Sequence, residues 1–270
     1  VRSRRQRQMC IRDRCYISDS VDQNILNRMR KLIQSIDVDA LTMNIESLAE
    51  CMFTHKWINP FPKFKYSERP DTATAAILDG NIVIMVDNSP AVMIIPASIF
   101  DIIEEADDFN FSPMIGSYLR ITRFFFSIVT WILTPLWLLF VNNPDWVPEF
   151  MKFVLITDDI TVPVLLQLLI LELAVDGLKL AAVNTPTMLS TPLSIVAGIV
   201  VGEYAVSSGW FNPEALLYMA VVTVGTYGQT NFEMGYAFKF LRVLTLILTQ
   251  IFNLGGFIAG VVISVLMIAL

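Results

Sequence analysis

Apolar residues recur at three- and four-residue steps at Val21, Ile25, Met29, Leu32, Ile33 and Ile36, which predicts a helix with one buried face. Asp37-Val38-Asp39 interrupts it, and a second short helix is expected over about 44–53. Asn59-Pro60-Phe61-Pro62 reads as a rigid extended linker, because each proline excludes its predecessor from the helical region. Residues 71–78 predict a short helix stopped by Gly80. Two β-prone runs, 82–86 and 91–95, flank Asp87-Asn88-Ser89-Pro90 and predict a hairpin. Ser98 and Asp101 have capping-box spacing, opening a helix expected to run through Ala106. The pattern changes at Phe124. Residues 124–141 form an uncharged run of 18, enough to cross ~30 Å of hydrocarbon at ~1.5 Å per residue with slight thinning. Further apolar segments cover about 161–180, 187–202, 215–231 and 243–263, the last interrupted by Gly255-Gly256, where a break is allowed. The expected fold is an α-helical polytopic membrane protein of about five transmembrane helices over 111–270, preceded by an α+β domain over 15–110.

Composition sharpens this division. The chain is 54% hydrophobic and 16% charged, with mean hydropathy +0.58, whereas soluble domains run near 45–50% and about 25%. Residues 15–123 carry 9 Lys/Arg and 15 Asp/Glu, but residues 124–270 carry only 4 and 9. A net charge of −6 offers no basic face to phosphate, which argues against nucleic acid as a partner. Residues 1–14 hold six Arg and one Asp, with no apolar run after them, so they do not form a signal peptide. Residues 8–14 match the translation of a sequencing-library adapter, and 1–14 are expected to be foreign to the protein. Cys15, Cys51 and the lone histidine, His55, have no metal-ligand spacing and no nucleophile motif beside them. No enzymatic activity, metal or cofactor is expected.

Charge placement orients the spans. With the N-terminal domain in the cytosol, Arg120, Arg123, Lys179, Lys239 and Arg242 fall inside, against Lys152 alone outside, which fits the positive-inside rule. Within the spans, Glu172, Asp176 and Lys179 share one helical face. Counted from Val162, Glu172 lies ~15 Å deep, where a charge costs at least ~2.5–3.5 kcal/mol and must face protein or water. Two uses remain open: an Asp176–Lys179 ion pair, or an ion path along Glu172 and Asp176. Thr223, Thr226 and Thr230 form a second polar stripe beside Gly225 and Gly228, suited to helix packing or to lining a narrow wet pore. Thr185-Pro186 and Thr191-Pro192 deny backbone donors and predict a kinked or late-starting third span.

Asn59-Pro60-Phe61-Pro62, followed by Tyr66-Ser67-Glu68-Arg69-Pro70-Asp71 and the stretch from Ile77 to Asp87, resembles the A-subunit family of bacterial spore germination receptors, the GerA type. The resemblance continues through Asn184-Thr185-Pro186 and Phe232-Glu233-Met234-Gly235-Tyr236-Ala237. These, with Pro135-Leu136-Trp137-Leu138-Leu139-Phe140, are nearer to the family's AF-type branch than to its nutrient receptors. Ser67 stands where the family has threonine, and the chain is expected to be a fragment. The resemblance implies a multi-pass protein of the spore inner membrane, with its N-terminal domain cytosolic. It also implies assembly as a homo-oligomer into an ion channel that releases monovalent cations, with B and C subunits or a small membrane partner. Glu68 and Arg69 are expected to form a structural ion pair. A secondary transporter and a non-conducting scaffold are the competing functions.

Overall fold

The computed structural model of the chain describes residues 11–36, 44–52, 59–87, 89–157, 161–184 and 198–269. It divides into two compact units, Val1–Ser117 and Tyr118–Leu270. Asp37-Val38-Asp39, His55, Thr185-Pro186, Thr191-Pro192 and most of the segment expected at 187–202 lie outside the described residues.

The first unit is built on a four-stranded antiparallel sheet of order β1-β3-β4-β2: β1 Ile11–Cys15, β2 Lys65–Ser67, β3 Ile82–Val86 and β4 Val92–Ile95. The predicted hairpin is β3–β4, pairing Ile82 with Ile95 and Ile84 with Met93. Its apolar run is covered on both faces, so it need not alternate with polar residues. Ile82, Ile84, Met93 and Ile95 pack with Leu26 and Met29 of α1 (Gln23–Gln34) and with Ile45 and Leu48 of α2 (Asn44–Met52). Val83 and Ile94 meet Ala76 of α3 (Pro70–Leu78) on the other face. The buried stripe of α1 centres on Leu26 and Met29, with Ile25 and Leu32 at its margins.

β1 draws on residues expected to be foreign. Asp13, Arg14 and Cys15 pair with Met85, Ile84 and Val83. Sheet pairing is a main-chain interaction, so an extended segment can add to the edge of β3 whatever its side chains encode. The Ser98–Asp101 capping box is present, but α4 spans only Ile99–Ile103. Glu104 turns extended, and Ala106 opens a 3₁₀ turn, Ala106–Phe109, instead of ending the helix.

Arg69 corrects one expectation. Its guanidinium pairs with Asp71 at 2.7 Å and with Asp107, not with Glu68. Arg69 is extended, so neighbouring side chains project to opposite sides, while Asp71 sits one residue beyond Pro70 in the first turn of α3. The guanidinium holds the Asp71 carboxyl down at about 2, from an ordinary 3.8.

The second unit comprises α5 (Pro113–Asn142, from Tyr118 onward), α6 (Val164–Asn184), α7 (Pro213–Tyr227), α8 (Phe232–Phe252) and α9 (Leu254–Ala269). Among the described residues, α5 and α8 are long and apolar enough to cross a membrane. α6 matches α8 in length, at 21 residues, but its three charges, Glu172, Asp176 and Lys179, all fall in its middle, whereas Glu233 of α8 sits in the first turn. Of the third expected span, Gly198–Tyr204 is π-helical and runs into one α-turn, Ala205–Ser207.

The span expected at 215–231 ends early, because α7 stops at Tyr227 with Gly228 as its C-cap. Asn231 then caps α8, its side chain accepting from the Glu233 and Met234 N–H groups. Thr230 therefore lies in the connection rather than on the helix. The segment expected at 243–263 is divided between α8 and α9 at Asn253, whose φ is +53°. With ψ at −128° it lies outside the left-handed helical well, in a region that favours glycine, so the surrounding contacts must hold it there. Its side-chain amide also exchanges hydrogen bonds with Asn143, at 2.6 and 3.0 Å. α9 then folds back along α8, with Gly256 against the Leu248 carbonyl and Gly260 against Thr245.

A Cβ at Gly256 would lie 1.8 Å from the Leu248 carbonyl oxygen, whereas one at Gly255 meets nothing within 4 Å. Gly256→Ala should therefore destabilise by about 1–3 kcal/mol or more, and Gly255→Ala should be neutral or slightly stabilising; thermal unfolding in detergent checks both. For Asp71, the depressed carboxyl pKa means that its pairing stabilises fully above pH 3.8 and is lost as pH falls through about 2. Arg69→Met should lower Tm near neutral pH and have little effect once Asp71 is protonated, as pH-resolved melting curves would read.

A charged cavity between three helices as the candidate functional site

α6 is apolar around most of its circumference, yet Glu172 is only 4% exposed. Its neutraliser comes from α8, 70 residues along the chain. Arg242, 3% exposed, sets its fork on both carboxylate oxygens of Glu172, with Nη2 donating to Oε2 at 2.8 Å and Nε to Oε1. A bidentate pair of this kind combines charge with fixed geometry. The remaining guanidinium nitrogen, Nη1, donates to the Thr130 carbonyl of α5, so one side chain ties three helices together.

One turn away, Lys239 of α8 pairs with Asp176 of α6. Its ammonium also donates to the Glu172 carbonyl at 3.2 Å and lies 3.6 Å from the Glu172 carboxylate. The expected Asp176–Lys179 pair is therefore replaced by Asp176–Lys239. A residue three positions along the same helix competes with one that the neighbouring helix presents directly, and the neighbour wins. Lys179 instead lies over two tyrosine rings, 5.1 Å from the centre of Tyr227 and 5.8 Å from that of Tyr236, close enough for cation–π attraction.

These groups surround a cavity of about 280 Å³ between α6, α7 and α8. The structure brings every proposed ion-path residue to it: Glu172, Asp176, Thr223, Thr226 and Thr230 all line the wall, together with Lys179. The Thr223 and Thr226 hydroxyls donate to the Met219 and Val222 carbonyls of their own helix, at 2.7 and 2.8 Å. Their protons are thus committed, and their oxygen lone pairs remain to face the cavity. Gln229 also lines it and donates to the Thr130 hydroxyl at 3.2 Å, while its own carbonyl oxygen is buried without a hydrogen-bond partner. Gly225 packs α7 against Thr130 and Phe126 of α5, the packing use foreseen for the small residues of that stripe.

The apolar pattern starts the last span at 243 and so leaves Lys239 and Arg242 at the interface, whereas α8 begins at Phe232 and carries both into the site. Their three-residue spacing matches the four-residue spacing of Glu172 and Asp176, and this complementary charge pattern was the available signal. Elsewhere, buried Gln167 accepts from the Asn212 backbone at 2.9 Å and donates to its side chain at 2.7 Å, fixing the start of α7 to α6. Among the described residues, no group of His, Cys, Asp and Glu is placed to hold a metal ion.

Removing one partner of the buried pair should be costly. Glu172→Gln leaves Arg242 without its counter-charge and should destabilise by about 3–5 kcal/mol. Asp176→Asn should cost less, because Lys239 retains Glu172 within reach. The double variant Glu172→Met/Arg242→Met should recover much of the loss. Thermal unfolding of the four purified proteins in detergent tests this ranking.

Comparison with known proteins adds a family to this geometry. The chain is 36% identical over 255 residues to stage V sporulation protein AF of Bacillus subtilis (strain 168), covering 94% of this chain and 52% of that protein. It is 29% identical over 248 residues to spore germination protein GerIA of Bacillus cereus, covering 91% of this chain and 37% of that one. Over 256 residues it is 25% identical to the uncharacterized membrane protein YfkQ of B. subtilis, at 93% and 49% coverage. The chain thus spans about half the length, or less, of these curated relatives. No solved structure matches it. The model of the Bacillus/Clostridium GerA spore germination proteins matches residues 1–270, and the chain belongs to that family.

Proposed function

We propose that this chain is part of a membrane subunit of a spore germination complex, and that its helical unit lines an oligomeric channel for monovalent cations. In this reading the protein crosses the spore inner membrane about five times with residues 15–110 in the cytosol, and acts as an AF-type amplifier of germination. It works beside a small membrane partner, or beside B and C subunits if it serves instead as a nutrient-receptor A subunit. It has no catalytic role.

The observation that carries the reading is the lining of the cavity. Charged groups inside apolar helices are expensive, and they mark pathways where water or ions are handled. The carboxylates of Glu172 and Asp176 are held by Arg242 and Lys239, so they act by holding the helices and shaping the field rather than as bare cation sites. The acceptor oxygens of Thr223 and Thr226 are the groups suited to replace part of a cation's hydration shell. A secondary transporter is favoured by one feature: Lys239 reaches both carboxylates, so a coupling ion could exchange with it.

Conductance measured in a defined bilayer separates the readings. Thr226→Leu should abolish most cation conductance and Thr226→Ser should keep it, with both proteins assembling normally. Flux that requires a substrate gradient, without single-channel steps, would favour the transporter; neither signal would leave a scaffold.

A further inference from the structure

The cavity is not electrically neutral. Five charged residues line it, Glu172, Asp176, Lys179, Lys239 and Arg242, and they leave one positive charge in excess. Both carboxylates are engaged by α8, Glu172 with Arg242 and Asp176 with Lys239. Lys179 is the remainder: among the described residues it forms no ion pair, and its ammonium rests on the faces of Tyr227 and Tyr236. Ring faces attract a cation but supply no counter-charge.

The surroundings of Lys179 are amphipathic. Beside the charged wall, Tyr227 and Phe232 line the cavity and remain 64% and 69% exposed, and two residues outside the lining, Leu180 next to Lys179 and Val224 one turn before Tyr227, are 61% and 64% exposed. A ligand seated there would meet a half-buried ammonium at one end and an apolar rim at the other. Lys179 also falls on the cytosolic side by the charge asymmetry of the chain, where basic pockets between membrane helices take up anionic head groups.

We infer that the cavity at Lys179 binds the phosphate head group of an anionic lipid, whose acyl chains lie along Val224, Tyr227 and Phe232. This inference rests on the membrane placement given under the proposed function, but not on conduction. The lysine places the phosphate, the tyrosines hold the ammonium in position, and the rim favours a phosphate that carries a tail over a free one. The acidic residues do not repel it, because each is already neutralised by its partner on α8.

The test uses the full chain in phosphatidylcholine nanodiscs, with and without phosphatidylglycerol, read by thermal unfolding. Phosphatidylglycerol should raise Tm by about 2–4 °C for the wild type, as expected when a ligand binds only the folded state. Lys179→Arg should retain the shift, and Lys179→Met, which keeps the apolar stem, should lose it. Inorganic phosphate in millimolar excess, added to phosphatidylcholine discs, is the second arm. An equal shift there would keep the anion site and overturn the lipid as its source. No shift in either arm, or an undiminished shift in Lys179→Met, overturns the site. Carbonate extraction of the chain from membranes separates the two levels: a chain that washes off overturns the membrane placement and this inference together, whereas a chain that stays and shows no shift overturns only the inference.

Discussion

Glu172 and Arg242 are both almost fully buried, and the helical unit is organised around their meeting. Neither charge could remain alone in such surroundings, since an unpaired buried ion costs several kcal/mol even after relaxation. The pair therefore requires α6 and α8 to approach in one register, at one azimuth. Arg242 then uses its remaining nitrogen on the Thr130 carbonyl of α5, which brings a third helix into the same constraint. Lys239 and Asp176 repeat the arrangement one turn away. Replacing such groups by apolar residues often leaves stability unchanged, so their value lies in selecting a single arrangement of helices that carry few other groups able to fix their register.

This constraint also determines what the cavity presents. With its acids satisfied by α8, the wall is left with threonine oxygens whose protons are already donated to their own helix, and with the ammonium of Lys179. A cavity lined by two bare carboxylates would hold a cation too tightly to release it. Here both carboxylates are compensated, and the one charge left over on the wall, among the described residues, is the ammonium of Lys179.

Features set by neighbours along the chain were legible in the sequence. The β3–β4 hairpin follows from its turn residues, the Ser98–Asp101 box from three-residue spacing, and the halt of α3 from Gly80, whose φ is +92°. Glu172 and Asp176 stood out because a charge within an apolar run has few explanations. Their partners did not, because pairing across some seventy residues depends on where α8 begins. Asn231 starts that helix at Phe232, eleven residues before the expected span. The same limit applies to Arg69: spacing pointed to adjacent Glu68, while the fold supplied Asp107 from a distant turn. The glycine pair Gly255-Gly256 allows a break in 243–263, but the reversal falls at Asn253, because it depends on a single asparagine with a partner on another helix.

The hydroxyls of the helical unit have a mechanical consequence. Ser127, Thr223, Thr226, Thr245, Thr249 and Ser264 each donate to the carbonyl four residues earlier in their own helix. Such groups make the helix faces polar without fastening one face to another. Directional links between helices, among the described residues, include Arg242 on Glu172 and Thr130, Lys239 on Asp176, Gln167 on Asn212, Asn143 on Asn253, and, from the α7–α8 connection, Gln229 on Thr130. A face that carries only such self-satisfied hydroxyls loses no interhelical hydrogen bond when it shifts, so resistance to movement is concentrated at the side chains that do cross. Lys239 differs from the other links in having a second carboxylate, that of Glu172, 3.6 Å from its ammonium, so a small slide of α8 along α6 would exchange one partner for the other instead of stranding the charge.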